Sequence, residues 1–440
     1  MNQRKRVLIL GAGFGGLYAA LALDKTLARA PDIEVVIVNR ENFLLFTPML
    51  HEIAAGDLHI TDIVACVRKM LRHVTFFEQT VEKIDLENRQ VVLSHGGHAH
   101  TIAYDYLVLG LGAITNFYKL PGLQERALTM KTIGDAFIIR NRLIANLEAA
   151  EFDCTVEKCP ELLTVVVAGG GFAGVEATAA ANDFLRDALR FYPHLNEDHL
   201  RVVLVHAGPL ILPELGPKLG TYAQKKLAER KVEIHVNTQV VGVTDAGVAL
   251  SDGTVIKAST LVWTAGISSN PLLATLPCKQ DHGRVVVNEY MEVEGWPGVW
   301  ALGDCARVPD RTTGGFCPPT AQHALRQGKV LAHNVTAAVR GGQKKPFVFS
   351  TLGQLAAIGR RTGVASIMGF NFSGFIAWFL WRSIYLIKLP GFEQKVHVAL
   401  GWALDLFFSK DPVQFLTGPA PTVSHAVEES VPTPPAAAQG

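Results

Sequence analysis

The chain has almost no excess charge of either sign: 41 Lys and Arg stand against 40 Asp and Glu, for a net charge of +1. A polyanion binder needs a cationic surplus to displace counterions from phosphates, so general nucleic-acid binding is excluded. Cysteine is scarce too. Six in 440 residues cannot staple a secreted domain, and a reducing compartment is expected. His51, His323 and His397 show no metal-ligand spacing, so no metal site is expected. Nor is there a convincing transmembrane run. The longest uncharged stretch, Thr362 to Trp381, has 20 residues but contains Gly363, Gly369, Asn371, Ser373 and Gly374, which makes a poor bilayer span.

Apolar residues are plentiful. They make up 49% of the chain and give a mean hydropathy of +0.22. A mostly disordered polymer is thereby excluded, and some membrane contact is suggested. The length exceeds one ordinary core and implies two or three domains. Arg4-Lys5-Arg6 followed by apolar Val7 to Leu23 has the outline of a signal peptide. However, Gly11, Gly13, Gly15 and Gly16 interrupt that stretch, and the apolar period changes after them. A strand, a glycine turn and a helix account for it better.

The chain repeats itself. Leu8 to Leu17 matches Val166 to Val175 at an offset of 158, with Gly11/Gly169, Gly13/Gly171, Phe14/Phe172 and Gly16/Gly174 coinciding. Leu107 to Asn116 matches Leu261 to Asn270 at an offset of 154. Two echoes at nearly one spacing indicate one βαβ nucleotide unit present twice. Continuous β-branched runs predict buried parallel strands at 6–10, 33–38, 163–168 and 202–205, with helices at 15–30 and 174–191. Val299 to Asp304 reads as another short buried strand ending in a Gly-Asp turn, so the first unit is interrupted and then resumed.

Gly-x-Gly-x-x-Gly between a strand and a helix has a definite use. The first glycine allows the tight turn, the second lets a diphosphate approach, and the third lets the helix pack on the strand. The helix N-terminus then attracts the phosphates. Two copies imply two bound dinucleotides. The ribose-binding acid that usually ends the second strand is missing from both: Asn39-Arg40 follows Val38, and His206 follows Val205. Asn39 can accept a ribose hydroxyl and Arg40 can lie against an adenine. His206 would not repel a 2′-phosphate, which leaves NADH and NADPH both open with a lean to NADH.

With these units, the Gly303-Asp304 turn and Ala321-Gln322-x-Ala324, the chain resembles the two-dinucleotide flavoproteins. Within them it is similar to type II NADH:quinone oxidoreductases, over about Val7 to Leu416. The carriers are Phe46-Thr47-Pro48-Met49-Leu50, Gly171 to Glu176, Trp263 to Ile267 and the Ala321-Gln322 stretch. The resemblance implies FAD at Gly11, Gly13, Phe14, Gly15 and Gly16, with Asp304 beside Gly303 on its ribityl-diphosphate portion. Ala113 and the 46–50 loop with Pro48 would border the ring. Gly169, Gly171, Gly174, His206 and Gly266 would receive the nicotinamide cofactor, and Glu176 would lie near the point where the two meet. Ala321 and Gln322 would stand at the flavin–quinone edge, where Arg326 replaces the family's second glutamine. Glu176, Gln322 and Arg326 are the expected catalytic residues.

Ser366 to Phe408 differs in kind, holding 11 of the 36 aromatic residues. Phe375, Trp378, Phe379 and Leu386 recur at helical spacing, and Val396, Leu400, Ala403 and Phe407 do so after Pro390-Gly391. Interfacial helices have this look, with a dimer interface as the alternative use. The expected fold is α/β: two Rossmann-like dinucleotide-binding domains and a C-terminal amphipathic helical membrane-associating segment. Its divisions are 1–120 and 271–345 for FAD, 121–270 for NAD(P)H, 346–416 for the membrane region and 417–440 for a disordered tail. The expected activity is non-proton-pumping NAD(P)H:quinone reduction by a homodimer on the cytoplasmic face of a bacterial inner membrane, with quinone and lipid as partners. A sulfide:quinone oxidoreductase or other FAD-dependent reductase is the alternative, through Cys305 and Cys317. A non-catalytic dinucleotide sensor is a more distant one. Cys154 and Cys159 precede the second glycine motif, the wrong place for a redox disulfide facing a flavin.

Overall fold

The computed structural model describes residues 4–152, 160–405, 407–408 and 410–414. Cys154, Cys159 and the expected tail lie outside the described residues.

β1 (Lys5–Leu10) leads through the glycine turn into α1 (Phe14–Asp24) and then β2 (Ile33–Asn39). The short helix α2 (Leu50–Ala54), β3 (Thr75–Glu78) and β4 (Tyr106–Leu109) follow. β1 pairs in parallel with β2 and β4, and Val7 to Leu10 are fully buried. Burial on both faces explains why the run is uninterrupted by polar residues. The first helix ends earlier than its apolar pattern predicts. Asp24 turns its carboxylate to the backbone N–H groups of Arg72, His73 and Val74, and a single 3₁₀ turn, Leu27–Arg29, completes the connection.

A second, matching set follows. β5 (Ala113–Thr115), β6 (Leu128–Thr129), α3 (Ile133–Phe152), β7 (Thr164–Ala168), α4 (Phe172–Ala188), β8 (Arg201–Val205), β9 (Val232–His235), β10 (Thr260–Trp263) and β11 (Ile267–Ser269) come in chain order. β12 (Val299–Ala301) then returns to the first sheet beside β4. The sheet orders are β12-β4-β1-β2-β3 and β6-β10-β7-β8-β9. β1 and β7, β2 and β8, and β4 and β10 thus hold equivalent places, which is the internal repeat expressed as topology. β5 and β11 follow the carboxyl ends of β4 and β10 and pair antiparallel with each other, Ala113 opposite Ser269. That ladder ties the strand ends of the two sheets together.

α5 (Ala321–Arg340) packs on α1 so closely that a Cβ on Gly328 would lie 2.4 Å from the Gly15 carbonyl oxygen. The C-terminal region is not wholly helical, as the aromatic spacing suggests. Three antiparallel strands, β13 (Gly353–Ala357), β14 (Gly363–Ile367) and β15 (Phe370–Gly374), precede α6 (Phe375–Lys388) and α7 (Phe392–Leu404). Gly363, Gly369 and Gly374 serve this small sheet: Gly369 and Gly374 take positive φ, and a Cβ on Gly363 would collide with the backbone of Trp378. α6 turns Ala377 and Trp381 into the core shared with α3 and α4. Its Phe375, Ile376, Phe379 and Ile387 stay exposed, as do Phe392, Leu400 and Leu404 of α7. No described helix is long and apolar enough to cross a membrane.

Candidate functional site

The two glycine turns are built alike. Gly11 has φ +98°, and a Cβ there would sit 2.3 Å from the Gly110 carbonyl oxygen. A Cβ on Gly16 would sit 1.9 Å from Gly11 O, so this glycine permits the helix–strand approach. Gly13 faces open space, with nothing within 4 Å of its would-be Cβ. In the second turn Gly169 (φ +114°) and Gly174 are crowded by Thr264 and by Gly169 O respectively, while Gly171 faces open space. Each turn therefore has two glycines that the fold requires and one that leaves room for a phosphate at a helix N-terminus. Gly15 belongs to the packing group: its Cβ would press on Leu302.

Asn39 ends β2 beside the glycine turn. Its Oδ1 accepts a hydrogen bond from the Ala12 N–H at 2.8 Å, bracing the glycine turn, and its Nδ2 donates to Glu41 O. The carboxylate at this strand end comes from Glu41, which the sequence pattern does not flag because it sits two residues beyond the usual position. Arg40 is exposed and pairs with Glu41 at 2.7 Å. In the second unit His206 Nδ1 accepts the Gly170 N–H at 3.1 Å. Burial holds its imidazole below the ordinary value, with the Leu210 backbone and Glu214 opposing. Gly266 faces the phenol of Tyr118, whose oxygen would lie 2.5 Å from a Cβ there.

Asp304 and Ala113 line a cavity of about 340 Å³ with Ser268, Ser269, Arg284 and Arg307. Burial raises the Asp304 carboxyl, and Lys131 and Arg284 pull it back. The turn is fixed from α5, where Gln327 accepts the Gly303 N–H at 2.8 Å. Gln327 and Gln322 of the same helix thus serve different partners, Gly303 and Gly353. Ala321 opens α5 behind the Thr320 cap.

An aromatic line joins the first glycine turn to the C-terminal helices. Phe14 lies 5.9 Å from Phe46, Phe46 lies 6.1 Å from Tyr385, and Tyr385 lies 4.8 Å from Trp381. Pro48 sits in the 3₁₀ turn Thr47–Met49 that sets this loop. Glu176 adjoins the line. It is buried, not a solvated first-turn acid: Oε1 accepts from Trp381 Nε1 at 3.0 Å and from the Ala357 N–H at 3.1 Å. Burial pushes its carboxyl up to about 8. His51 Nδ1 lies 3.7 Å from Glu176 Oε2, and burial pushes His51 down to about 3. Burial thus favours the neutral form of both groups, and the contact is not an ion pair while His51 is unprotonated.

Gln322 donates from Nε2 to Gly353 O at 2.8 Å, and its Oε1 is buried without a hydrogen-bond partner among the described residues. Arg326 stacks 4.0 Å over Phe349 and donates to Gln322 O. Burial and the Arg326 guanidinium hold the Lys388 ammonium below its usual range. Gln322, Arg326 and Lys388 thus converge where α5 meets the end of α6. Cys305 and Cys317 are buried thiols, both pushed up to about 11 by burial. Cys305 Sγ is turned to the carbonyls of Leu302 and Leu109. A thiol so protonated is a weak nucleophile, which removes the main support for a sulfur carrier. Among the described residues no group of three or more His, Cys, Asp or Glu is placed to hold a metal ion.

Residues 5–328 match the family described as pyridine nucleotide-disulphide oxidoreductase, the class of enzyme that two such paired sheets define. Residues 352–411 match the NDH2 C-terminal domain. The type II NADH:quinone oxidoreductase Ndh of Mycobacterium tuberculosis is 34% identical over 91% of this chain and 88% of its own. The external alternative NADH-ubiquinone oxidoreductase of Yarrowia lipolytica is 31% identical over 93% of this chain and 80% of its own. The chain belongs to the type II NADH:quinone oxidoreductase family. Its fold is similar to that of NDH2 from Plasmodium falciparum solved with NADH, with a TM-score of 0.87, 19% identity and coverage of 93% and 100% of the two chains.

Proposed function

We propose that the protein oxidises NADH, with NADPH open to it, and reduces a membrane quinone through bound FAD, without pumping protons. The observation that carries this reading is the β5–β11 ladder, which draws the strand ends of two glycine-bearing sheets to one seam. In open α/β sheets ligands bind outside the carboxyl ends of the strands, so two cofactors seated on these turns approach each other there. FAD, when bound, supplies a ring that accepts hydride and passes on electrons. The chain supplies position and electrostatics. Gly13 and the start of α1 would receive the FAD diphosphate, Glu41 the adenosine ribose, Gly303-Asp304 the ribityl-diphosphate portion, and Ala113, Phe14, Phe46 and Pro48 the ring's surroundings. Gly171, His206 and Gly266 would receive the nicotinamide cofactor. Gln322, Arg326 and Lys388 would orient the quinone, the buried Gln322 Oε1 being an acceptor still to be satisfied.

We take 1–120 with 271–345 as the FAD domain and 121–270 as the NAD(P)H domain, which agrees with β12 rejoining the first sheet. The exposed apolar side chains of α6 and α7 support residues 346–416 as a surface that lies on lipid. We assign the protein to the membrane face where reduced nicotinamide is available, the cytoplasmic face in a bacterium, and to a homodimer. Anaerobic mixing tests the reading. NADH should bleach the yellow protein within milliseconds to seconds, and duroquinone should restore the colour. Bleaching by sulfide alone, or no bleaching by NADH, would replace it.

A further inference from the structure

The internal repeat contains one mismatch. Gly112, between β4 and β5, and Gly266, between β10 and β11, hold equivalent places at an offset of 154. A Cβ on Gly112 would meet nothing within 4 Å, whereas one on Gly266 would lie 2.5 to 2.8 Å from atoms of the Tyr118 phenol. The surface beyond the first sheet is open at this glycine, and the matching surface beyond the second is covered.

An unusual turn delivers the cover. The Leu120 N–H donates to Phe117 O at 3.0 Å, and the two residues between them, Tyr118 and Lys119, have φ +49° and +55°. Two positive values are the pattern of a type I′ turn, which glycine, asparagine and aspartate usually fill. A tyrosine persists there only where its surroundings fix it. The backbone is indeed fixed. The Asn116 N–H donates to Gly266 O at 3.1 Å, Asn116 O accepts from Trp263 Nε1 at 2.8 Å, and Asn116 Oδ1 accepts the Tyr118 N–H at 2.8 Å. Phe117 and Leu120 pack against the core beneath the second sheet. The ring, in contrast, is held lightly. It is 56% exposed, meets Trp263 edge-on at 6.4 Å, and reaches Ala265 O only at 3.5 Å. Rotation of this side chain alone uncovers Gly266, and exposed side chains rotate far faster than any turnover.

We propose that Tyr118 is an internal competitor of the nicotinamide cofactor: its ring covers Gly266 while the seat is empty, gives way when the cofactor enters, and returns as the oxidised cofactor leaves. The inference rests on the function proposed above, in which Gly266 belongs to the nicotinamide seat. The difference from Gly112 follows from the two roles. A flavin stays bound through many turnovers and needs an open seat, whereas the nicotinamide cofactor is a substrate that must depart after each one. A ring competing for the same surface lowers the apparent affinity by the fraction of molecules whose seat is free. It thereby keeps the product complex from accumulating. No bond forms or breaks in this exchange.

The test is Tyr118→Asn, which removes the ring and keeps a residue that tolerates positive φ. NAD+ does not reduce the flavin, so its binding to the yellow protein is read by titration calorimetry. The variant should bind NAD+ roughly threefold or more tightly. In anaerobic bleaching by NADH the gain should fall on the dissociation constant rather than on the limiting rate. Tyr118→Phe keeps the ring and loses only the 3.5 Å contact, so its affinity should stay within about twofold of the unaltered protein. Weaker binding in Tyr118→Asn overturns the proposal, because the ring would then be a partner of the cofactor. Unchanged binding overturns it as well. If Tyr118→Asn fails to fold, fluorine spectra of the unaltered chain carrying 3-fluorotyrosine at its eight tyrosines decide the matter. The signal missing from Tyr118→Phe should shift when NAD+ is added and return when it is removed. A signal that NAD+ leaves in place overturns the proposal. Failure of the unaltered protein to bind NAD+ and to bleach with NADH is a different result and overturns the proposed function instead.

Discussion

At the scale of single residues, His206 is the sharpest choice the chain makes. Its ring is fixed by the Gly170 N–H where related folds place an acid for the ribose hydroxyls. His206→Glu is expected to raise discrimination against NADPH by more than about 1.4 kcal/mol, a factor of ten in the ratio of kcat/KM values. An unchanged ratio would show that the imidazole does not face the ribose. The buried acids make a second prediction. Glu52 and Glu176 have folded-state values of about 8 against an ordinary 4.5. Between those values the folded chain keeps protons that the unfolded chain has released, so stability falls as pH rises through that window. The contribution is complete below pH 4.5 and gone above about 8. Glu176→Gln should flatten the dependence of the urea midpoint on pH by at least about 1 kcal/mol across the window. A parallel slope in the variant would mean that Glu176 is ionised in the folded protein. Serine at Cys305 and Cys317 should leave NADH oxidation nearly intact, and its collapse would bring the sulfur-carrier reading back.

At the scale of the element, each strand–glycine–helix unit separates folding from binding. A methyl at Gly16 meets Gly11 O and one at Gly174 meets Gly169 O, whereas methyls at Gly13 and Gly171 meet nothing. Gly16→Ala and Gly174→Ala are therefore expected to lose folded, soluble protein. Gly13→Ala should keep a native circular-dichroism spectrum and a melting temperature close to that of the apoprotein while losing yellow colour. Gly171→Ala should stay yellow but bind NADH at least about tenfold more weakly. Yellow, fully active Gly13→Ala protein would refute the assignment of that cradle. These units are legible in the sequence alone, because buried parallel strands and close-packing glycines write themselves into runs of neighbouring residues. The aromatic segment is legible only in part. Helical spacing identifies α6 and α7 but not the three strands before them, whose pairing partners the sequence does not mark.

At the scale of the whole molecule, α6 has two faces with different duties. Ala377 and Trp381 belong to the core, and Trp381 holds Glu176 across 205 positions of sequence. Phe375, Phe379 and Leu400 stay exposed. Ending the chain near Ala365 would cut β14 and expose that core, so it is not a clean test of membrane attachment. Serine at Phe375, Phe379 and Leu400 together should instead abolish sedimentation with liposomes while duroquinone reduction in solution persists. Retained sedimentation would locate attachment elsewhere. Burial of Glu176 and Glu52, the turn of Asn39 toward Ala12 and the bond from Gly303 to Gln327 leave no mark in the sequence pattern. Glu176 alone passes for a solvated helix acid until a tryptophan from α6 covers it.

The sequence by itself determined the paired nucleotide folds and the family, because both rest on short-range patterns of burial and close approach. The tertiary structure alone decided which acids keep their protons, since desolvation depends on neighbours brought from distant parts of the chain.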